Sequence, residues 1–130
     1  MNIKGKVGNV DHIAIPTNSI DETMSFYKEL GFEVILRTYN ETAKEEVAFL
    51  KLHNYVIETF ENGQAALMDG AYQHVAIEAV DVEKLFVELK EAGYIMLHDE
   101  VQYLPFWDNG TKFFMIQGPN KERIEFCQKL

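Results

Sequence analysis

Two short stretches of the sequence are nearly alike: Asp11-His12-Ile13-Ala14-Ile15 and Gln73-His74-Val75-Ala76-Ile77. Their histidines are 62 positions apart (74 − 12), and in each half a glycine follows the histidine by 19 positions (31 − 12 and 93 − 74). Across the two windows that begin at these histidines, the identical pairs are His12/His74, Ala14/Ala76, Ile15/Ile77, Lys28/Lys90, Glu29/Glu91 and Gly31/Gly93. Self-similarity at a fixed spacing indicates that one structural unit is used twice, and this decides the fold.

The first copy of the unit is predicted to begin with a strand and a helix. Val10 to Pro16 alternates and is rich in branched residues, which is typical of a strand. Ser19 with Glu22 three positions later forms an N-capping pattern, and Gly31 is the expected end of the helix. Strands are then predicted at 32–39, 46–52 and 54–60, with a tight turn at His53-Asn54.

The second copy repeats this order after a connector at residues 61–72. It comprises a strand at 73–79, a helix at about 82–92 and strands near 94–98, 112–117 and 122–128. A four-stranded sheet with one helix leaves one sheet face bare, and pairing two such units covers that face. We therefore predict one α+β domain over residues 1–130, with module 1 at about 9–60 and module 2 at about 73–128.

Composition excludes several classes of function. The net charge of −9 argues against binding nucleic acid, whose phosphates require a basic surface. No apolar run approaches the roughly 18 residues that a membrane span needs, and the first residues lack the apolar segment of a secretory signal. The single cysteine, Cys127, rules out an internal disulfide and fits a reducing compartment. We therefore expect a cytoplasmic protein that contacts neither nucleic acid nor membrane.

Each half supplies one histidine and one glutamate in positions suited to metal ligands. Strand alternation places His12 and His74 on the opposite face from the branched residues that follow them. Glu58 and Glu125 each lie inside an apolar strand, where a carboxylate is costly unless it is paired or bound to a cation. Imidazole and carboxylate together suit Zn²⁺, Ni²⁺, Co²⁺, Mn²⁺ or Fe²⁺.

Each of these residues alone has a simpler interpretation. A lone histidine on a strand is usually a hydrogen-bonded, partly buried imidazole, and a lone glutamate usually faces solvent. The repeat favours a metal site, because chance does not readily place histidine and glutamate at matching positions in both halves. His53, in the predicted turn, and His98, which precedes Asp99-Glu100, are interpreted as surface residues.

The sequence resembles the vicinal oxygen chelate superfamily, which comprises glyoxalase, bleomycin-resistance and dioxygenase proteins. The resemblance extends from about Asn9 to Gln128. It is carried by the two histidine stretches and by Phe26-Tyr27-Lys28-Glu29-Leu30-Gly31-Phe32 and Gly118-Pro119-Asn120-Lys121-Glu122-Arg123-Ile124-Glu125-Phe126. It implies two tandem βαβββ modules that form a cup-shaped mixed sheet around a divalent metal ion, and a homodimer.

Within the superfamily, the chain closely resembles glyoxalase I, also called lactoylglutathione lyase. This resemblance implies that the metal ligands are His12, Glu58, His74 and Glu125. It also implies catalysis by Glu125 together with Glu58, and substrate binding by Asn62. The implied reaction converts a methylglyoxal–thiol hemithioacetal to a 2-hydroxyacyl thioester through a metal-bound enediolate. The implied role is the detoxification of methylglyoxal.

One position departs from glyoxalase I: Pro16 stands where that family has an arginine that helps to hold a glutathione carboxylate. Arg37 and Arg123 are the nearest basic candidates, and the sequence does not place them at the pocket. The identity of the thiol therefore stays open. So does the role of the aromatic stretch at 103–107, for which the alternatives are pocket lining, a dimer contact or hairpin packing.

Two other functions stay open at this stage. The chain also resembles methylmalonyl-CoA epimerases in Asp11-His12-Ile13-Ala14-Ile15 and Val47-Ala48-Phe49-Leu50, although it has no counterpart to their glutamine ligand ahead of Val47. The other alternative is a non-catalytic drug- or metabolite-binding resistance protein, a kind that generally lacks the metal ligands. The presence of all four candidate ligands in this chain favours the enzyme.

Overall fold

Each half of the chain folds as one βαβββ unit in the computed structural model, which describes residues 1–130. The first unit is Met1–Ala65 and the second is Ala66–Leu130. The elements of the first unit are a 3-10 turn at Lys4–Lys6, β1 at Ile13–Thr17, α1 at Ile20–Glu29, β2 at Glu33–Asn40, β3 at Glu45–Leu52 and β4 at Tyr55–Glu61. Those of the second unit are β5 at His74–Glu78, α2 at Val82–Glu91, β6 at Ile95–Met96, β7 at Gln102–Leu104, β8 at Thr111–Gln117 and β9 at Arg123–Lys129.

Both units use the same sheet topology. The strand order is β1-β4-β3-β2 in the first sheet and β5-β9-β8-β6 in the second, where the short β7 also pairs with β8. In each unit the first strand runs parallel to the last, and the other pairs are antiparallel. The predicted α+β class and the repeated βαβββ order are confirmed.

The structure corrects two strand predictions. The first strand begins at Ile13 rather than Val10, because Ile13 is the first residue that pairs with β4, and Val10 is largely exposed. The strand predicted near 94–98 is only Ile95–Met96, and the chain resumes pairing with β8 at Gln102–Leu104. The edge strand of the second sheet is therefore interrupted.

One face of each sheet is buried beneath the helix of its own unit. In the first unit the side chains of Leu50, Ile57 and Tyr27 are fully buried, and α1 packs on β3 and β4. In the second unit Phe114 and Ile124 are buried in the same way, with α2 packed on β8 and β9. Because side chains alternate along a strand, the residues between these core positions project from the opposite face of each sheet.

Both helices begin at a side-chain cap. Ser19 accepts a hydrogen bond from the Glu22 N–H at 3.2 Å, and Asp81 accepts one from the Lys84 N–H at 3.1 Å. These bonds satisfy donors that the first turn of a helix leaves without an intrahelical partner. The predicted N-cap at Ser19 is confirmed.

Replacing the cap is expected to weaken the first unit. Ser19→Ala removes the acceptor for the Glu22 N–H and should lower the free energy of unfolding by about 1 kcal/mol, measured by urea titration. Ser25→Ala is the matched control, since Ser25 is exposed inside the same helix, where alanine is the better helix former. Equal losses in the two variants would contradict a capping role for Ser19.

None of the helices combines the length and the apolar character that crossing a membrane would require.

Candidate metal and substrate site

The open face of the first sheet carries a histidine–glutamate pair. Glu58 lies in the middle of β4, and His12 immediately precedes β1, the strand that runs parallel to β4. The Nε2 atom of His12 is 3.4 Å from Oε2 of Glu58, and the Nδ1 atom is 2.7 Å from Oδ2 of Asp11. Phe49, which is in register with Glu58 on β3, meets the His12 ring edge-on at a centroid distance of 5.4 Å. The imidazole is thus held on two sides.

The second sheet repeats this arrangement. Glu125 lies in the middle of β9, and His74 begins β5, which runs parallel to β9. The Nε2 atom of His74 is 3.8 Å from Oε1 of Glu125, and the Nδ1 atom is 2.9 Å from Oε1 of Gln73. In both units, therefore, the residue before the histidine holds Nδ1 and a glutamate on the neighbouring parallel strand faces Nε2.

This geometry fits an imidazole that binds a metal ion. The oxygens of Asp11 and Gln73 accept a hydrogen bond, so the proton of each neutral imidazole is on Nδ1 and the lone pair is on Nε2. An outer oxygen that accepts from the far nitrogen is the usual support of a metal-binding histidine. Each Nε2 lone pair then faces a carboxylate oxygen, and a cation shared by the two atoms would relieve the repulsion between them.

The two carboxylates are also partly withdrawn from water. The side chain of Glu125 is 16% exposed and that of Glu58 is 28% exposed, whereas the two histidines are about one third exposed. Neither glutamate is therefore an ordinary solvent-facing residue of a sheet. No group of three or more His, Cys, Asp or Glu side chains is clustered closely enough to hold a metal ion, so the structure brings the four predicted ligands together as two pairs.

Asn62, the predicted substrate contact, follows the end of β4. Its Oδ1 atom accepts a hydrogen bond from the Gln64 N–H at 2.9 Å, and its own backbone N–H donates to the Thr17 carbonyl at 3.2 Å. These bonds orient the side chain and leave its NH₂ group without a partner in the protein. Asn62 therefore presents a fixed donor.

Neither candidate arginine is a free cation. The Nη1 atom of Arg37 on β2 lies 2.5 Å from Oε2 of Glu46 on the neighbouring strand β3. The Nε atom of Arg123 lies 2.7 Å from Oδ1 of Asp69. Both positive charges are thus largely compensated within their own unit.

Cys127 lies two residues after Glu125 on the same strand face. Burial, followed by the negative charges of Glu125 and Glu78, raises the pKa of its thiol. The thiol therefore stays protonated at neutral pH and is not an activated nucleophile.

The aromatic stretch at 103–107 leaves large side chains in solvent. Tyr103, Phe106 and Trp107 are each more than half exposed, and the ammonium group of Lys129 lies 4.1 Å above the Trp107 ring. The Tyr103 ring also packs against Gly110, immediately before β8. Of the three alternatives, hairpin packing therefore explains the position of Tyr103.

The environment of His98 differs from the sequence interpretation of a surface residue. It is partly buried rather than exposed, and its Nδ1 atom accepts a hydrogen bond from the Met115 N–H at 3.1 Å. His53, by contrast, is an exposed residue of the β3–β4 turn with a φ of 51°. No local sequence signal separates the two histidines, because the partner of His98 is 17 residues away.

Comparison with known proteins agrees with this architecture. A glyoxalase family protein from Enterococcus faecalis has a similar fold, with a TM-score of 0.76 and 24% identity over 92% of this chain and 96% of that one. A glyoxalase I variant from Zea mays superposes with a TM-score of 0.73 and 24% identity over 91% of this chain and 43% of its own. The fold is thus that of glyoxalase-like proteins.

The chain belongs to the Glyoxalase/Bleomycin resistance protein/Dioxygenase superfamily, whose family model matches residues 9–126. Among curated proteins it is similar to the uncharacterized protein YwbC of Bacillus subtilis (strain 168), with 28% identity over 125 residues. That match covers 92% of this chain and 97% of YwbC.

Proposed function

We propose that the protein is a metal-dependent isomerase of the glyoxalase I type, which converts the hemithioacetal of a 2-oxoaldehyde and a thiol to a 2-hydroxyacyl thioester. The observation that carries this proposal is the repeated pair, in which a histidine with its Nδ1 held by the preceding residue turns Nε2 toward a glutamate. Membership of the superfamily supports it.

The metal ligands in this proposal are His12, Glu58, His74 and Glu125. Two imidazole nitrogens and two carboxylate oxygens suit Zn²⁺, Ni²⁺, Co²⁺, Mn²⁺ or Fe²⁺. When bound, the ion would supply positive charge that stabilises the negative charge developing on two neighbouring substrate oxygens.

Glu125 is the proposed base. It takes the proton from the substrate carbon that bears sulfur and returns it to the neighbouring carbon. The hydroxyl proton moves from the oxygen on the first carbon to the oxygen on the second, so no atom is gained or lost. The Glu125 side chain is the less exposed of the two glutamates, so a proton that it carries is better shielded from exchange with water. Glu58 holds the ion and assists the proton movement, and the free NH₂ group of Asn62 donates to the thiol part of the substrate.

The thiol is proposed to carry fewer carboxylates than glutathione does. Pro16 replaces the arginine of glyoxalase I, and the two other candidate cations are already paired with Glu46 and Asp69. A chain with a net charge of −9 also provides no general attraction for an anionic thiol.

The proposal is tested by metal content. Wild-type protein incubated with each of the five ions and then dialysed should retain a stoichiometric amount of at least one of them, measured by elemental analysis. His12→Ala and His74→Ala should each weaken metal affinity by at least about a hundredfold. Losing only a group that hydrogen-bonds to a metal ligand already lowers metal affinity by about ten- to a hundredfold. His53→Ala, in an exposed turn, is the matched control and should retain wild-type metal.

Activity is then assayed with the loaded protein. Methylglyoxal adducts of cysteine, coenzyme A, 2-mercaptoethanol and glutathione are compared, and thioester formation is followed by ultraviolet absorbance. Full metal retention in both histidine variants, or loaded protein that is inert toward all four adducts, would overturn the proposal.

A further inference from the structure

His98 fills the interruption in the edge strand of the second sheet. Beyond β6, the Leu97 N–H donates to the Met115 carbonyl at 2.9 Å, and the Met115 N–H donates to Nδ1 of His98 at 3.1 Å. The imidazole also meets Phe113 edge-on at a centroid distance of 5.7 Å. A side-chain nitrogen thus accepts the bond that a strand backbone would otherwise accept.

The first unit shows that an imidazole is not required at this place. Leu36 lies 62 positions before His98 (98 − 36) and belongs to β2, which pairs with β3 along its whole length apart from one bulge. Leu36 is in register with Phe49, which is itself in register with Glu58. Met115 is the equivalent of Phe49 in the second unit, because it is in register with Glu125. In the second unit, therefore, the strand is interrupted at the place where a histidine side chain lies beside Met115.

The hydrogen bond from Met115 determines where the proton of His98 lies. A backbone N–H can only donate, so Nδ1 carries the lone pair and the neutral imidazole carries its proton on Nε2. No group of the protein accepts from Nε2. Because no buried side-chain nitrogen or oxygen lacks a hydrogen-bond partner, Nε2 is accessible to solvent or to a ligand.

The His98 ring lies on the same sheet face as Glu125, the proposed base. Phe113 and Met115 are in register with Cys127 and Glu125 on β9, and residues in register project from the same side of a sheet. His98 packs against Phe113 and therefore belongs to this side. It lies two strand spacings from Glu125, or about 10 Å across the sheet.

We propose that His98 is a substrate-binding residue, whose Nε2–H donates a hydrogen bond to an acceptor oxygen on the distal part of the substrate. This inference rests on the proposed function, in which Glu125 marks the reacting end. The intervening surface is formed by Met115 and Phe113 and is apolar. The substrate class is therefore a thiol adduct with an apolar segment that ends in an amide carbonyl or a similar uncharged acceptor about 10 Å from the reacting oxygens.

Two probes separate the two ends of this site. Acetohydroxamic acid offers two neighbouring oxygens to the metal and has no distal group. The second probe is suberic acid with one carboxyl group converted to a hydroxamic acid and the other to a primary amide. It offers the same two oxygens and adds an apolar chain with a terminal amide carbonyl. Binding of each probe to the metal-loaded full chain is measured by calorimetry.

Two substitutions separate the structural and binding roles of His98. In His98→Asn the side-chain oxygen replaces Nδ1 as acceptor for Met115, but no donor replaces Nε2. In His98→Gln the amide nitrogen lies near the original Nε2 and retains a donor. Thermal unfolding and metal content of each variant report whether the fold and the metal site persist.

His98→Asn is expected to bind the long probe about five- to tenfold more weakly, with acetohydroxamate affinity and metal content at wild-type levels. His98→Gln is expected to retain most of the long-probe affinity even where its thermal stability falls. Unchanged long-probe affinity in His98→Asn, or equal losses for both probes, would overturn this inference alone. Metal-loaded wild-type protein that binds neither probe would overturn the metal site of the proposed function, and with it this inference.

Discussion

Glu125→Gln is expected to lower kcat for hemithioacetal isomerisation by about a hundredfold to ten-thousandfold, the range for removal of a positioned general base. Glutamine has nearly the same shape and keeps one oxygen toward His74, but it cannot accept a proton from carbon. The substrate should still bind, so KM should change much less than kcat. Steady-state kinetics at saturating metal measure both parameters.

Glu58→Gln is the informative comparison for this prediction. It removes a proposed metal ligand that is not the principal base, so raising the metal concentration should restore more activity than in Glu125→Gln. Glu78→Gln serves as the control, since Glu78 is an exposed carboxylate in register with Cys127 and has no proposed role. If Glu125→Gln kept more than half of the wild-type kcat at saturating metal, Glu125 would not be the base.

The architecture could be predicted because its determinants are local or repeated. The cap at Ser19 and the turn at His53 are encoded within a few residues, and the 62-residue repeat carries the first strand and the helix into the second half. Side-chain alternation also separates core positions from the face that carries Glu58 and Glu125. These signals need no knowledge of which strands become neighbours.

The details that could not be predicted depend on contacts between distant residues. The Arg123–Asp69 ion pair joins residues 54 positions apart, and it removes a cation that the sequence leaves available. Val10 alternates like a strand residue but has no partner strand, so the strand begins only at Ile13. His98 precedes two acidic residues and so resembles a surface position, whereas its hydrogen bond with Met115 draws it onto the sheet.

The largest expected change in stability is for Phe114→Ala in the core of the second unit. Phe114 is fully buried on β8, with ring centroids 5.2 Å from Phe86 on α2 and 5.4 Å from Phe126 on β9. Replacing a buried phenylalanine by alanine removes its apolar surface and leaves a cavity, so the free energy of unfolding should fall by about 3–5 kcal/mol. Urea titration followed by circular dichroism measures this change.

The neighbouring residue provides a matched control for this effect. Phe113 is the same residue type on the same strand, but it projects from the open face and is only partly buried. Phe113→Ala should therefore lower the free energy of unfolding by about 1 kcal/mol. Because α2 packs against β8 through Phe114, Phe114→Ala should lose far more free energy of unfolding than Phe113→Ala. Similar losses in the two variants would mean that the buried face of this sheet is not the principal source of stability of the second unit.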